Sequence, residues 1–175
     1  MEENKYEFCN TTDKHEAYMI AKIQFKKIIN NFNEREFKYN FDELFESDGN
    51  HYKLFLKERG NLICGTLSFF SKNNVFVDIF FWNEVFFRTN SKIFRFFCER
   101  FFEETQKIGI ENMIVPLDKS RIKHESFKKY CQKLYSTKEE YNISDIELKN
   151  QYKNHYLLKV NYKNYYEQKQ KSNIC

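Results

Sequence analysis

No stretch of this sequence is both long and free of charge. The longest uncharged run, GNLICGTLSFFS, extends only from Gly60 to Ser71, too short to cross a bilayer as a helix. The start, MEENKYEF, lacks the apolar core of a signal peptide, so a soluble cytoplasmic protein with no membrane partner is expected. The five cysteines follow no pattern: residues 9, 64, 98, 131 and 175 are odd in number and widely scattered, which argues against a disulfide framework and against CxxC zinc or redox sites. The four histidines are scattered too, with no pair at metal-ligand spacing, and no metal is expected. Alanine appears twice and proline once, while Phe, Tyr, Lys, Asn and Ile abound. An A+T-rich coding sequence produces this pattern, so part of the aromatic density stands in for leucine in an ordinary core. The net charge of +4 falls short of the concentrated positive patch that marks a nucleic-acid footprint, and no nucleic acid partner is expected.

A chain of 175 residues is long enough to bury a substantial core and short enough for one domain. Residues 1–162 are expected to form that domain, followed by a polar tail over 163–175, KNYYEQKQKSNIC, with the composition of a disordered segment. YEFCNTT reads as a first strand. Asp13 and Glu16 have capping-box spacing before an amphipathic run of Tyr18, Ala21, Phe25, Ile28 and Phe32, which predicts a helix over 13–31. Asn40 and Glu43 repeat the pattern before FDELFESDG, and predict a short second helix ending at Gly49. Three strand-like segments follow, 51–58, 61–71 and 74–82, joined by RGN and KNN turns, the signature of an antiparallel meander.

The period then becomes helical over 91–108, with Phe94, Phe97, Cys98, Phe101, Phe102 and Ile108 on one side. Phe96 falls on the polar side, either as an interface residue or as a surface aromatic. ENMIVPL (111–117) reads as a buried strand, HESFKKYCQKL as a fourth helix, a segment near 136–144 as a further strand and NHYLLKV (154–160) as the last. Between Phe80 and Phe102 ten aromatic side chains surround a polar interruption, RTNSK. If Asn90 or Ser91 starts the helix, its first amides lack intrahelical partners and suit a phosphate. Arg88 and Lys92 add positive charge there.

This order of elements, β-α-α-β-β-β-α-β-α-β-β, resembles the GNAT superfamily of acyl-CoA-dependent N-acetyltransferases over about residues 6–160. The resemblance implies an α/β (α+β) fold with a mixed, mostly antiparallel sheet of about seven strands and four helices. It also implies acetyl-CoA as co-substrate and an amine acceptor. The alternative is a catalytically silent GNAT-fold binding or structural module, either one a monomer or a homodimer. In the family, a loop of the form Arg/Gln-x-x-Gly-x-Gly/Ala binds the CoA pyrophosphate. Arg88, Thr89, Asn90, Ser91, Lys92 and Ile93 stand at that place, with Ser91 and Ile93 replacing the two small residues. Oxyanion and pantetheine contacts are implied for the main chain of Phe81, Trp82 and Asn83.

HESFKKYCQKLYS resembles the family's fourth-helix pattern Asn-x-x-Ala-x-x-Phe-Tyr-x-Lys-Leu-Gly-Phe. His124 replaces the Asn that often meets CoA, and Cys131 replaces the usual general-acid Tyr. A shift of one residue puts Tyr130 there instead, so either Tyr130 or Cys131 is the acid, or both merely pack. For the base, Asp78 stands mid-strand between Val77 and Ile79, sharing a face with Phe76, Phe80 and Trp82 by simple alternation. A carboxylate on an apolar face has its ionised form disfavoured, which suits a base; Glu84 is a second candidate. Glu34, Glu36, Asp42, Glu43 and Glu46, with Glu139, Glu140, Asp145 and Glu147 near the last strands, would steer a cationic amine toward the site.

Overall fold

Asp13 accepts a hydrogen bond from the Glu16 amide at 2.7 Å, satisfying one of the orphan donors of a helix start, and α1 (Lys14–Ile28) begins there. The structure is a computed structural model that describes residues 5–47, 49–87 and 91–172. The second helix starts earlier than its sequence suggests: Asn33, not Asn40, caps α2 (Glu34–Glu46), accepting from the Glu36 amide at 3.2 Å. Two cap-and-acid pairs, Asn33/Glu36 and Asn40/Glu43, compete in that segment. The earlier one wins because it lets Phe37, Phe41 and Phe45 fall on one face against Tyr18, Phe25 and Phe55.

The strands are β1 (Tyr6–Cys9), β2 (His51–Glu58), β3 (Asn61–Ser71), β4 (Asn74–Trp82), β5 (Asn112–Asp118) and β6 (His155–Asn161), and they lie in chain order across one sheet. All neighbours are antiparallel except β4 and β5. The remaining helices are α3 (Glu84–Phe87), α4 (Ser91–Lys107), α5 (His124–Leu134), α6 (Ile146–Gln151) and α7 (Tyr162–Ser172). The fold class is the expected one, while the element count differs. Among the described residues the sheet has six strands rather than seven, and α3, α6 and α7 add to the four expected helices. The segment near 136–144 forms only an isolated bridge from Glu140 to Leu158, flanked by Tyr141 N–H to Leu157 O at 2.9 Å and Lys159 N–H to Glu139 O at 2.8 Å. It shields the outer edge of β6 without becoming a strand.

The supposed polar tail is helical as far as Ser172. Tyr162 is fully buried, its ring stacks on Phe102 at 4.6 Å and its hydroxyl meets the Thr105 hydroxyl at 2.8 Å, so aromatic anchors dock an otherwise polar helix. Phe96, out of phase on α4, is covered by the rings of Tyr6 and Phe8 at 6.1 and 5.1 Å. Ile108, assigned to the buried face, is instead 57% exposed beyond the helix end. α1 and α2 cover one side of the sheet with Ala17, Tyr18, Ala21, Phe41 and Leu44. On the other side lie Ile93, Phe97, Phe101 and Phe102 of α4, with Cys131 of α5 and Tyr162 of α7. Cys9, Cys64, Cys98 and Cys131 are free thiols. Among the described residues no helix is long and apolar enough to cross a membrane.

Candidate functional site

Parallel pairing between β4 and β5 is brief. It runs from Asn74↔Asn112 to Phe76↔Ile114 and stops, after which the two strands part. Side-chain amides anchor the paired end: the buried Asn112 donates to the buried Asn74 at 3.0 Å and Asn161 donates to Asn112 at 2.9 Å. The split begins at a β-bulge, because Leu67 pairs with Ile79 and Ser68 with Val77, leaving Asp78 as the extra residue. A bulge resets the alternation of side chains. Ile79 and Phe81 therefore pack with α1 and α2, while Phe80 turns to the rings of Phe94 and Phe97 at 5.1 and 5.7 Å. Asp78 shares a side with Phe76, as alternation predicts, but not with Phe80 and Trp82.

A cleft of about 1090 Å³ occupies the opening. Asp78 lies in its wall, surrounded closely enough that burial pushes its pKa up to about 7. The Tyr152 hydroxyl donates to its carboxylate and opposes that rise, since a hydrogen bond to the ionised form favours it. Tyr152 is itself fixed between Phe76, stacked at 5.5 Å, and His155, edge-on at 5.5 Å. Burial lowers the pKa of His155, and its Nδ1 is buried with no hydrogen-bond partner among the described residues. Sequence reasoning missed Tyr152 and His155. The only local signal was the polar, turn-like run KNH before an apolar strand.

α1 reaches the same opening. The Gln24 side chain, 3% exposed, accepts from the Trp82 N–H at 2.9 Å and donates to the Phe80 carbonyl at 3.4 Å. Beyond it the chain after α1 is fastened to the segment after β5: Asn30 N–H donates to Ser120 O at 3.1 Å and Ile122 N–H to Ile28 O at 2.8 Å. This strap spans the mouth of the split, joining the β4 side to the β5 side.

No protein-family model matches the sequence, and no curated protein sequence matches it. Solved structures do match in three dimensions. An acetyltransferase of the GNAT family from Staphylococcus aureus Mu50 superposes with a TM-score of 0.65 at 11% identity, over 89% of this chain and 98% of that one. The PaiA N-acetyltransferase of Thermoplasma acidophilum, solved in complex with coenzyme A, gives 0.58 at 12% identity, over 90% and 99%. Tetrahymena GCN5 gives 0.58 at 13% identity, over 89% and 94%. The fold is that of the GNAT acetyltransferases.

In this GNAT fold the expected site residues fall in different places. Arg88, Thr89 and Asn90 lie outside the described residues. Ser91 is the first residue of α4, Lys92 is exposed, and the Ile93 side chain is buried at 4% exposure in the core beneath the helix. Ile93 is therefore an anchor for the helix start. Asn83 N–H donates inward to Ile63 O of β3 at 2.7 Å. By antiparallel alternation Phe81 also faces β3, and Phe80 and Trp82 present their backbone to the opening. Of Phe81, Trp82 and Asn83, only Trp82 aims its N–H at the cleft. Glu84 pairs with Lys27 at 2.8 Å, which ties α3 to the end of α1.

Cys131 and Tyr130 both line the cleft, Cys131 at 4% exposure and Tyr130 at 56%. Burial pushes the Cys131 thiol up to about 12. His124 sits at the start of α5 outside the cleft lining, its Nδ1 3.3 Å from Glu125 and its Nε2 buried with no hydrogen-bond partner among the described residues. Several acids expected to steer a substrate are already paired: Glu34 with Lys22 at 2.7 Å, Asp42 with Lys14 at 2.9 Å and Lys38 at 2.5 Å, Glu139 with Lys159 at 2.7 Å, and Glu46 with Lys14. Asp145 caps α6. Glu36 and Glu43 line the cleft itself, beside Phe25, Phe32 and Phe37.

Proposed function

We propose that this GNAT-fold chain is an N-acetyltransferase that moves an acetyl group from acetyl-CoA to a cationic primary amine, with Asp78 as general base. The observation that carries the reading is the placement of Asp78. It is a carboxyl group with a pKa near 7, on the bulge where β4 parts from β5, in the wall of the cleft. A base poised near neutrality can take a proton from an ammonium ion and still be largely ionised at working pH. The bound acetyl-CoA supplies the acyl group and a thiol leaving group. Asp78 takes one proton from the ammonium ion, and the amine nitrogen bonds to the acyl carbon as the carbon–sulfur bond breaks with its electron pair on sulfur. The departing thiolate takes a proton from the protein, and the nitrogen's second proton leaves to solvent, from which the protein donor is restored.

Tyr130 suits the role of proton donor to the sulfur better than Cys131. A thiol held near 12 is a weaker acid than the ordinary thiol it would regenerate. Recognition of the amine is assigned to Glu36 and Glu43, with the rings of Phe25 and Phe37 4.9 Å apart and Phe32 and Phe37 5.3 Å apart, since carboxylates and ring faces both attract a cation. The pyrophosphate is assigned to the start of α4 with Lys92 and Arg88. Ser91 and Ile93, standing where small residues allow close backbone approach, support the second reading, a silent binding module.

Calorimetry with acetyl-CoA, followed by thiol release across a panel of diamines, amino sugars and peptide N-termini, separates the two. The acetyltransferase reading expects binding, with about 2.7 kcal/mol of added stability at a hundredfold excess over the dissociation constant, weakened by Arg88→Ala and by salt. Binding without turnover on any amine would favour the module, and no heat with either acetyl-CoA or CoA would sink the acyl-CoA reading.

A further inference from the structure

Gln24 is polar, 3% exposed, and set in the face of α1 that also buries Ala17 and Ala21. Its place in the core follows from what it holds. Where β5 leaves β4, the outward backbone groups of β4 lose their strand partner, and buried backbone groups need one. The Gln24 carboxamide has one donor end and one acceptor end, like a peptide unit. It presents them to the Phe80 carbonyl at 3.4 Å and the Trp82 N–H at 2.9 Å, the two groups that an adjoining strand, or any ligand with an extended amide, would take.

We infer that Gln24 is a displaceable placeholder: its side chain occupies the β4 edge in the free protein, and must swing away for an amide of the pantetheine arm to pair with Phe80 and Trp82. This rests on the acyl-CoA reading above. Two features let the side chain leave without unravelling the helix. α1 is held at its end by the strap from Ile28 and Asn30 to Ser120 and Ile122 and by Lys27–Glu84, none of which involves Gln24. The carboxamide also adjoins the cleft, which Gln24 lines, so it has space to turn into. The consequence is a tax on donor affinity, because binding must first break two hydrogen bonds. The residue also selects for ligands that replace both of them. A thioester without amides in its arm would have to leave the Trp82 N–H and Phe80 carbonyl unpaired, a costly outcome in a buried site.

The test is the affinity of Gln24→Met, which keeps the length and loses both hydrogen bonds. Its free form should melt lower than wild type and bind CoA roughly tenfold more tightly by calorimetry, the order expected for relieving a buried unpaired donor. Lys27→Ala, which loosens the same end of α1 without touching the β4 edge, should leave the affinity within about twofold if the effect belongs to Gln24. Equal or weaker binding by Gln24→Met would overturn it while leaving the acyl-CoA reading intact. Failure of both proteins to bind CoA would overturn that reading and the placeholder with it. Should the variant not fold, the side-chain NH₂ signals of Gln24 in wild type decide: they should shift on saturation with CoA, and unchanged signals under saturation overturn the inference.

Discussion

The Tyr152 hydroxyl donates to the Asp78 carboxylate across 74 positions of sequence. One partner stands on a bulge in β4, the other on the turn that leads into β6. The bond stabilises the ionised carboxyl while burial opposes it, and burial is the larger effect. Removing the donor with Tyr152→Phe should therefore raise the Asp78 pKa further. In a profile of kcat/KM against pH, activity should climb through about 7 in wild type, and the climb should move to higher pH in the variant. An unmoved profile would show that Asp78 does not govern it.

Asp78→Asn should keep acetyl-CoA binding and lower turnover by about 10² to 10⁴ at neutral pH, the range for loss of a general base. Single-turnover thiol release measures it. Unchanged turnover would remove Asp78 from the mechanism.

The same residue shapes stability. In the unfolded chain Asp titrates near its ordinary value of about 3.9, and in the folded protein near 7. Between those values the folded state holds a proton that the unfolded state has given up, so Asp78 favours folding most at low pH. That contribution is lost as pH rises through the folded pKa. The loss is on the order of 4 kcal/mol at most. Asn does not titrate. Melting curves at pH 5 and pH 8 should show wild type losing stability relative to Asp78→Asn at the higher pH; a constant gap would contradict the shifted pKa.

Tyr130→Phe should lower kcat by about 10²-fold if Tyr130 protonates the leaving sulfur. Cys131→Ala should leave kcat nearly unchanged and cost some stability from its buried position. The reverse pattern would assign the proton to Cys131, and with it a different register for α5 against the bound sulfur.

Gly65 tests the core under the site. A Cβ built there would lie 2.8 Å from Phe81 Cζ and closer still to the Phe55 ring, and buried rings in a packed sheet have little room to yield. Gly65→Ala should destabilise the protein by about 1 to 3 kcal/mol through overpacking, read as a lower denaturation midpoint. An undiminished midpoint would mean that the ring of Phe55 or Phe81 has an alternative seat.

Much of the architecture was legible because local patterns and the global fold agree. Asp13 and Glu16 mark the start of α1, the RGN and KNN turns mark the meander, and the switch from alternation to helical spacing at about Ser91 marks α4. Each of these signals is carried by neighbours in sequence. Elsewhere, neighbours misled. Asn40 looks like a cap, but the packing of Phe37 and Phe41 against Tyr18 starts α2 at Asn33. The tail beginning at Lys163 looks solvated, but Tyr162 and Tyr165 dock it on Phe102.

The sequence by itself determined the helices with strong caps and periods, the three-stranded meander, the order of elements and the presence of a carboxyl group in an apolar strand. Only the tertiary structure decided what that carboxyl group meets. The bulge that isolates Asp78 is a mismatch between two strands, invisible in either alone. Tyr152, His155 and Gln24 reach the opening from the turn before β6 and from α1, far from Asp78 in the chain. Helices and turns are specified by interactions over a few residues, whereas a site at a split between strands is specified by which backbone and side-chain groups are left over when the sheet closes. That remainder exists only once the whole chain has folded.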